Sequence, residues 1–169
     1  MVATLESHKD HVTLLNAWKL LEEQGLNYSL HLVGDGSKRA ELEQLCGLLG
    51  LKNVVFLGSR TDVSALLNNS KFFVFSTTIE EGFGTVLLEA LASGCRIIAS
   101  DVPACAEVLE NGKWGELFEA GNPDMLMKLI IKNAHTLNEH AQEHSEVENY
   151  LKTFQPQHMI DNYLVPAGR

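Results

Sequence analysis

Two acidic residues and two glycines in the middle of the chain have the types and spacing to bind an anion flanked by hydroxyl groups. A strand-like run, Phe72–Phe75, ends in polar residues, and Glu81, Gly82 and Gly84 follow in the next loop. Glycines let a backbone approach a ligand closely, and the free N–H groups at the start of the next helix favour an anion. This pattern predicts a phosphate-binding loop.

A second acid, Glu89, follows Glu81 by eight residues, about two turns into the predicted helix. A carboxylate there cannot bind phosphate, but it can accept hydrogen bonds from the hydroxyls of a sugar or a ribose. Glu89 stands in an otherwise apolar stretch, so we predict that it lies on a buried side and has partners. Together these features indicate a nucleotide-sugar site. The alternative is a pair of surface acids stabilised by the helix dipole, which fits Glu81 better than Glu89.

The run from Glu81 through Gly94 closely resembles the Glu-x7-Glu motif of the family-4 retaining glycosyltransferases. Four further blocks look like the donor-binding domain of that family, in its usual order and spacing. These blocks are residues 32–37, 53–58, 60–63 and 99–103. The resemblance covers residues 1–132 and implies the C-terminal domain of a two-domain glycosyltransferase B fold.

This resemblance also implies roles for individual residues. Lys9 and Glu81 would be catalytic, with Lys9 on the diphosphate and Glu81 on the hydroxyls of the donor sugar. Glu89 would hold the ribose diol. The implied substrate-binding residues are Gly82, Phe83, Gly84, Thr85, Glu89 and Arg60.

The residues by themselves leave alternatives open. Lys9 is otherwise one more solvated lysine before a helix, Phe83 a lid or a core anchor, and Arg60 equally a surface residue. Five residues before Lys9, relatives typically carry a phosphate-binding arginine, whereas this chain has Thr4. Either Lys9 and the helix N-terminus suffice without that charge, or a basic residue such as Arg60 compensates, or the activity is weak.

The order of the elements predicts how these residues are positioned. Strand-like runs at residues 1–5, 28–33, 54–57, 72–75, 96–99 and 115–118 alternate with helical patterns. This alternation predicts an α/β fold, a Rossmann-like, doubly wound parallel sheet of about six strands with helices on both faces. In the order 3-2-1-4-5-6, ligands bind between the first and fourth strands, so the loops carrying Lys9 and Glu81 should meet.

Local signals set several element boundaries. Asp10 is predicted to cap a helix over residues 11–24, which Gly25 ends. A second helix should begin at residue 37 or 38 and end at Gly50, and a third should begin at residue 62. Gly34 and Gly36 form a second Gly-x-Gly pair, but the third glycine of a dinucleotide fingerprint is absent, so we interpret the pair as a structural turn.

Composition narrows the function classes. A net charge of −9 argues against a nucleic-acid partner. Residues 1–10 contain no long apolar stretch, so we expect neither a signal peptide nor a membrane anchor there. The odd count of three cysteines, without metal spacing, favours reduced thiols and a cytoplasmic location. We expect no cofactor and no metal ion, and we interpret His140 and His144 as part of an exposed helix.

We divide the chain into a donor-binding domain, residues 1–153, and a crossing helix with a tail, residues 154–169. Met1 begins inside the expected first strand, so we expect an acceptor domain, in cis or in trans, to supply the other half and any peripheral membrane association. The implied function is transfer of a sugar from a nucleoside diphosphate sugar to an acceptor hydroxyl. The alternatives are a non-catalytic nucleotide-sugar binding module, which Thr4 favours, and a sugar-nucleotide epimerase domain, which the Glu81–Glu89 spacing does not support.

Overall fold

Parallel strands flanked by helices form the structure, a computed structural model that describes residues 1–135 and 144–154. The strands are β1 (Leu30–Val33), β2 (Val54–Gly58), β3 (Phe72–Phe75), β4 (Arg96–Ser100) and β5 (Glu116–Phe118). The helices are α1 (His11–Glu23), α2 (Arg39–Leu49), α3 (Val63–Asn68), α4 (Thr85–Ala92), α5 (Pro103–Val108), α6 (Pro123–His135) and α7 (His144–Lys152).

The strands form two parallel sheets in the order expected from the sequence. β1 pairs with β2, and β3, β4 and β5 form the second sheet in that order. Residues 1–5, here called the amino-terminal segment, run beside β1: the Ala3 N–H donates to the Val33 carbonyl at 2.9 Å, and the Val33 N–H donates to the Met1 carbonyl at 2.9 Å. The α/β fold class is therefore confirmed.

The predicted count of about six strands is confirmed only in part. Over the described residues the structure has five strands in two sheets, and the amino-terminal segment contributes an isolated bridge from Val2 to Val33. Beyond that bridge, the Leu5 N–H donates to the Asp35 carbonyl at 3.0 Å, and the Lys38 N–H donates to the Leu5 carbonyl at 2.9 Å. A cavity of about 420 Å³, lined by Met1 and by Val74 of β3 among others, lies where the two sheets approach.

Local capping follows the sequence signals at two of the three predicted helices. Asp10 accepts a hydrogen bond from the Thr13 backbone N–H at 3.0 Å, which satisfies a free donor at the start of α1. Gly50 ends α2 in the left-handed conformation, at φ 67°. Asp62 precedes α3, but its side chain makes no capping hydrogen bond because it pairs with Arg60 instead.

The Gly34–Gly36 turn is structural, as predicted. Gly34 has φ 134°, and an added Cβ there would lie 1.9 Å from the Ala3 carbonyl oxygen. A Cβ at Gly36 would lie 2.5 Å from the Leu5 carbonyl oxygen. The two glycines therefore let this turn pack directly on the amino-terminal segment.

The core joins both sheets and includes all three cysteines as free, buried thiols. Burial raises the pKa of the Cys46 thiol to about 11, so this group stays protonated at neutral pH. In the part of the chain that the structure describes, no helix is both long and apolar enough to cross a membrane.

Candidate functional site

The loops after the amino-terminal segment and after β3 meet, as the strand order predicted. The Thr78 backbone N–H donates to the His8 carbonyl oxygen at 3.0 Å, and the Thr78 hydroxyl lies 3.2 Å from the same oxygen. This contact joins two loops that are 70 residues apart in the chain. It places the loop that contains Lys9 beside the loop that contains Glu81, Gly82 and Gly84.

Lys9 and Glu81 form an ion pair at this junction. The Lys9 ammonium donates a hydrogen bond to Glu81 Oε2, and the two side chains are only 13% and 8% exposed. The Lys9 Nζ also lies 5.1 Å from the centroid of the ring of Phe75, which is the last residue of β3. The pair is therefore held at the carboxyl end of β3, and the carboxyl ends of parallel strands are where α/β folds bind ligands.

Glu81 is held as a carboxylate. Its burial alone would raise the pKa, but the hydrogen bond and charge of Lys9, with smaller contributions from the Thr77 hydroxyl and the Gly82 N–H, outweigh burial and lower it. The Gly82 N–H donates to Glu81 Oε1 at 3.2 Å, and the Thr77 hydroxyl lies 3.0 Å from Oε2. Both carboxylate oxygens are thus engaged within the loop.

Thr77 and Ser100 support this arrangement, although neither was singled out from the sequence. The Thr77 backbone N–H donates to the Ser100 hydroxyl oxygen at 2.9 Å, so the end of β3 is tied to the end of β4. Both residues are fully buried. Ser100 is the last residue of β4 and Thr77 is the second residue after β3, and these positions at the ends of apolar runs were the signal that could have identified them.

Cys105 of α5 lies near the pair but takes no part in acid–base chemistry. Burial, together with the nearby Glu81 charge, raises the pKa of the Cys105 thiol to about 12. The thiol is therefore neutral at physiological pH.

The two glycines of the loop differ in their environments. Gly84 is the N-cap residue of α4 at φ 67°, a left-handed conformation that favours glycine. Gly82 has no heavy atom within 4 Å of the position that a Cβ would occupy, so it borders open space. No side chain caps the start of α4, and the N–H groups from Thr85 onward have the orientation that favours an anion.

Glu89 is exposed, so the prediction that it lies on a buried side was wrong. The physical reason is the helical period: Leu87, Ala90 and Leu91 face the core, whereas Thr85 and Glu89 are four residues apart and share the exposed face. That face begins at the glycine loop. Glu89 is therefore available to a ligand, and its role with a ribose stays a prediction.

Three further residues from the sequence analysis lie in different surroundings: Phe83, Arg60 and Thr4. Phe83 packs partly buried against the core, its ring 5.9 Å from that of Phe154. Arg60 forms a two-point pair with Asp62 on the surface, with N–O distances of 2.8 and 2.7 Å, and that pairing raises the pKa of Arg60. Thr4 is exposed. The structure brings Lys9, Glu81 and the glycine loop together but gives Arg60 a surface partner.

Within residues 1–135 and 144–154, no group of three or more histidine, cysteine, aspartate or glutamate residues could hold a metal ion. His140 and the side chain of His144 lie outside what the structure describes. The expectation that the site needs no metal stays a prediction.

Comparison with known proteins assigns the family. The model of a family described as "Glycosyl transferases group 1" matches residues 1–147. The chain belongs to the group 1 glycosyl transferases. The match contains both loops of the candidate site and most of the described elements.

Individual relatives agree with this membership. The chain is 38% identical over 94 residues to N-acetyl-alpha-D-glucosaminyl L-malate synthase of Bacillus anthracis, a match that covers 55% of this chain and 24% of the relative. It is 30% identical over 128 residues to phosphatidyl-myo-inositol mannosyltransferase of Mycobacterium leprae, covering 75% of this chain and 34% of the relative. The match thus spans about a quarter to a third of the length of these curated relatives.

A solved structure of Anabaena Alr3699/HepE in complex with UDP-glucose is similar to this group 1 domain. Its TM-score is 0.78 at 27% identity, and the match covers 90% of this chain and 43% of that one. The likeness extends over most of the chain, so the parallel sheets and flanking helices are arranged as in the Anabaena protein.

Proposed function

We propose that this domain binds a nucleoside diphosphate sugar and acts as the donor-binding half of a retaining, family-4 glycosyltransferase. The observation that carries the proposal is the Lys9–Glu81 pair beside the glycine loop. It brings a cation suited to a diphosphate and a carboxylate suited to sugar hydroxyls to one point. Family membership and the UDP-glucose complex of the Anabaena relative support this reading.

Lys9 is proposed to stabilise the leaving diphosphate. An ammonium has three N–H donors, and one of them is directed to Glu81 in the free domain, which leaves two for phosphate oxygens. The N–H groups at the start of α4 would add a partial positive charge on the other side of the loop. Together they replace the charge that Thr4 does not supply.

Glu81 is proposed to orient the donor sugar. Because its pKa is lowered, it is ionised at neutral pH and can accept hydrogen bonds from sugar hydroxyls. A negative charge at that place also stabilises the positive, oxocarbenium-like character that grows on the sugar as the diphosphate leaves. We infer a front-face departure without a metal ion, which keeps the anomeric configuration.

Glu89 and Thr85 are proposed to contact the nucleoside. They share the exposed face of α4 that begins at the glycine loop, so a ribose could lie against that face while its diphosphate meets the helix start. A contact between Arg60 and the nucleobase would require the Arg60 guanidinium to break its hydrogen bonds with Asp62.

The acceptor side is proposed to come from a second domain, in cis or in trans. The match covers 43% of the Anabaena relative, and this partial coverage supports the proposal that the whole reaction involves more protein than these residues. We expect binding, with little or no transfer, from these 169 residues alone. Any peripheral membrane association would then belong to the second domain. The three buried free thiols support the further proposal of a reducing, cytoplasmic location.

The test is calorimetric binding of UDP and UDP-glucose over a range of salt concentrations. We expect Lys9→Ala to weaken UDP binding about tenfold or more, since a charge-assisted contact is lost, and to flatten the salt dependence. The control is Lys19→Ala, which removes a half-buried lysine paired with Glu23 on α1, away from the candidate site. Absence of UDP, GDP and ADP binding by the parent would overturn the proposal, and an unchanged affinity and salt slope in Lys9→Ala would remove Lys9 from the site.

Glu89→Gln tests the ribose contact separately. This variant keeps the size of the side chain but weakens acceptance from two hydroxyls, so we expect UDP to bind about ten- to a hundredfold more weakly. The variant should discriminate less than the parent between UDP and 2′-deoxy-UDP. Equal discrimination by both proteins would show that Glu89 does not touch the ribose.

A non-catalytic binding module is the second candidate, because Thr4 is exposed and uncharged at the position where the family resemblance implies an arginine. Supplying an acceptor domain in trans separates the two functions. Transfer of glucose from UDP-glucose supports the enzyme, whereas unchanged binding without transfer, for every acceptor domain tested, supports the module.

A further inference from the structure

We propose that Phe154, just beyond α7, is a positioning residue that orders the glycine loop through its contact with Phe83. This inference rests on the proposed function, because it concerns the same nucleotide site. It assigns to the end of α7 a part in donor binding, although Phe154 is 71 residues away from Phe83 in the chain.

The loop needs an external anchor because of its composition. Gly82 and Gly84 have no side chains, and glycine loses more conformational freedom on ordering than any other residue. Residues 82–84 therefore contain a single side chain, that of Phe83. Whatever holds Phe83 also limits where the N–H groups of its two glycine neighbours point.

Phe154 contacts Phe83 in an arrangement that favours two aromatic rings. The ring centroids are 5.9 Å apart and the planes are inclined by 61°, close to edge-to-face. Both rings are half-buried. The contact therefore connects α7 directly to the glycine loop.

Phe154 is itself held by a row of aromatic rings. Tyr150 lies edge-on to Phe154, with centroids 5.1 Å apart, and stacks on Trp114 at 4.9 Å. The Tyr150 hydroxyl donates to the Val108 carbonyl at 2.6 Å, and the Phe154 N–H donates to the Leu151 carbonyl at 3.1 Å. These contacts fix the end of α7 to the body of the domain.

The row thus begins in the core and ends at the loop. The Trp114 Nε1–H donates to Glu110 at 2.8 Å, which anchors the distant end of the row. A rigid support of this kind lowers the entropy that donor binding must overcome, because the loop is already ordered in the free protein. The geometry points to pre-organisation of the site, with no direct contact between Phe154 and the donor required.

The first experiment uses the free 169-residue chain and needs no ligand. Backbone ¹⁵N order parameters at Gly82 and Gly84 should lie in the rigid range, near about 0.85, and should fall below about 0.6 in Phe154→Ala. Phe154→Tyr keeps the ring and should retain the parent values. Phe56→Ala is the matched control, since it removes a half-buried phenylalanine from β2 and should leave both glycines unchanged.

The second experiment measures UDP affinity in the same variants. We expect about a five- to tenfold loss for Phe154→Ala, a parent-like value for Phe154→Tyr and no loss for Phe56→Ala. A double variant of Phe83→Ala and Phe154→Ala should bind no more weakly than Phe83→Ala alone, because both changes break one contact.

The outcomes separate this inference from the proposed function. If the parent binds no nucleoside diphosphate, the proposed function fails, while the order parameters still decide whether Phe154 positions the loop. Unchanged order parameters at Gly82 and Gly84 in Phe154→Ala would overturn the inference. An affinity loss that is additive with Phe83→Ala, or matched by Phe56→Ala, would also overturn it, since it would reflect a general loss of stability.

Discussion

The chain contains two Gly-x-Gly turns after strands, and the structure uses them in opposite ways. At Gly34 an added Cβ would lie 1.9 Å from a backbone oxygen, and at Gly36 it would lie 2.5 Å from another. At Gly82 it would meet nothing within 4 Å, and at Gly84 its nearest neighbour is the flexible side chain of Leu87, at 3.2 Å.

The fold requires glycine at Gly34 and Gly36, where a side chain would overlap backbone atoms, but it does not require glycine at Gly82. The first turn is closed by the amino-terminal segment of the same chain, so its glycines make room for backbone. The second turn borders open space beside the Lys9–Glu81 pair, so packing within the domain does not explain Gly82. The diphosphate of the proposed donor would occupy this space, and substitutions in the two turns test that proposal.

The largest expected effect is at the closed turn. Gly34→Ala should lower the free energy of unfolding by about 3 kcal/mol or more, because the new methyl group overlaps the Ala3 carbonyl and the φ of 134° strains any other residue. Urea denaturation measures this loss. The control is Gly25→Ala, which has positive φ but no neighbour within 4 Å. Equal losses in the two variants would contradict the overlap.

Gly84→Ala should have an intermediate effect on stability and a clear effect on binding. The left-handed φ of 67° costs about 1–2 kcal/mol for alanine, while Leu87 can move aside. Gly50→Ala is a matched control, since Gly50 has the same φ of 67° but ends α2. We expect similar unfolding free energies for the two variants and weaker UDP binding only for Gly84→Ala. Equal UDP affinities would show that the loop does not face the ligand.

Gly82→Ala sharpens the comparison because it separates stability from function. The methyl group enters open space, so the free energy of unfolding should change by no more than about 0.5 kcal/mol. UDP affinity should nevertheless fall, since the methyl group lies where the diphosphate is proposed to approach. Denaturation and calorimetry on the same preparation measure the two effects. A UDP affinity equal to that of the parent would contradict the proposal that the diphosphate approaches Gly82.

The smallest expected effect concerns the pH dependence of the open turn. The pKa of Glu81 in the folded domain is lowered from its ordinary value of 4.5, so its contribution to stability is present above that pH. The contribution is lost as the pH falls through the folded pKa. Unfolding free energies of the parent and Glu81→Gln, measured from pH 7 downward, should therefore converge in acid. A constant difference across this range would show that the pairing does not lower the pKa of Glu81.

The sequence alone determined the features that depend on near neighbours. The order of strands and helices, the Asp10 cap and the Gly50 stop each rest on residues within about one helical turn, so the chain specifies them locally. The sequence also predicted the chemical character of the loop around Glu81, since an acid and two glycines after a buried strand form a local pattern. The resemblance of this loop to a family motif could be recognised for the same reason.

Only the tertiary structure decided which distant residues meet. The expected strand order predicted that the loops carrying Lys9 and Glu81 meet, but the direct ion pair between these side chains, 72 residues apart, was not predicted. The exposure of Glu89 and the use of Arg60 by Asp62 were likewise set by packing, as was the contact of Phe154 with Phe83. Composition and spacing cannot specify these outcomes, because burial and partner choice depend on the relative placement of whole elements and not on the residues beside each one in the chain.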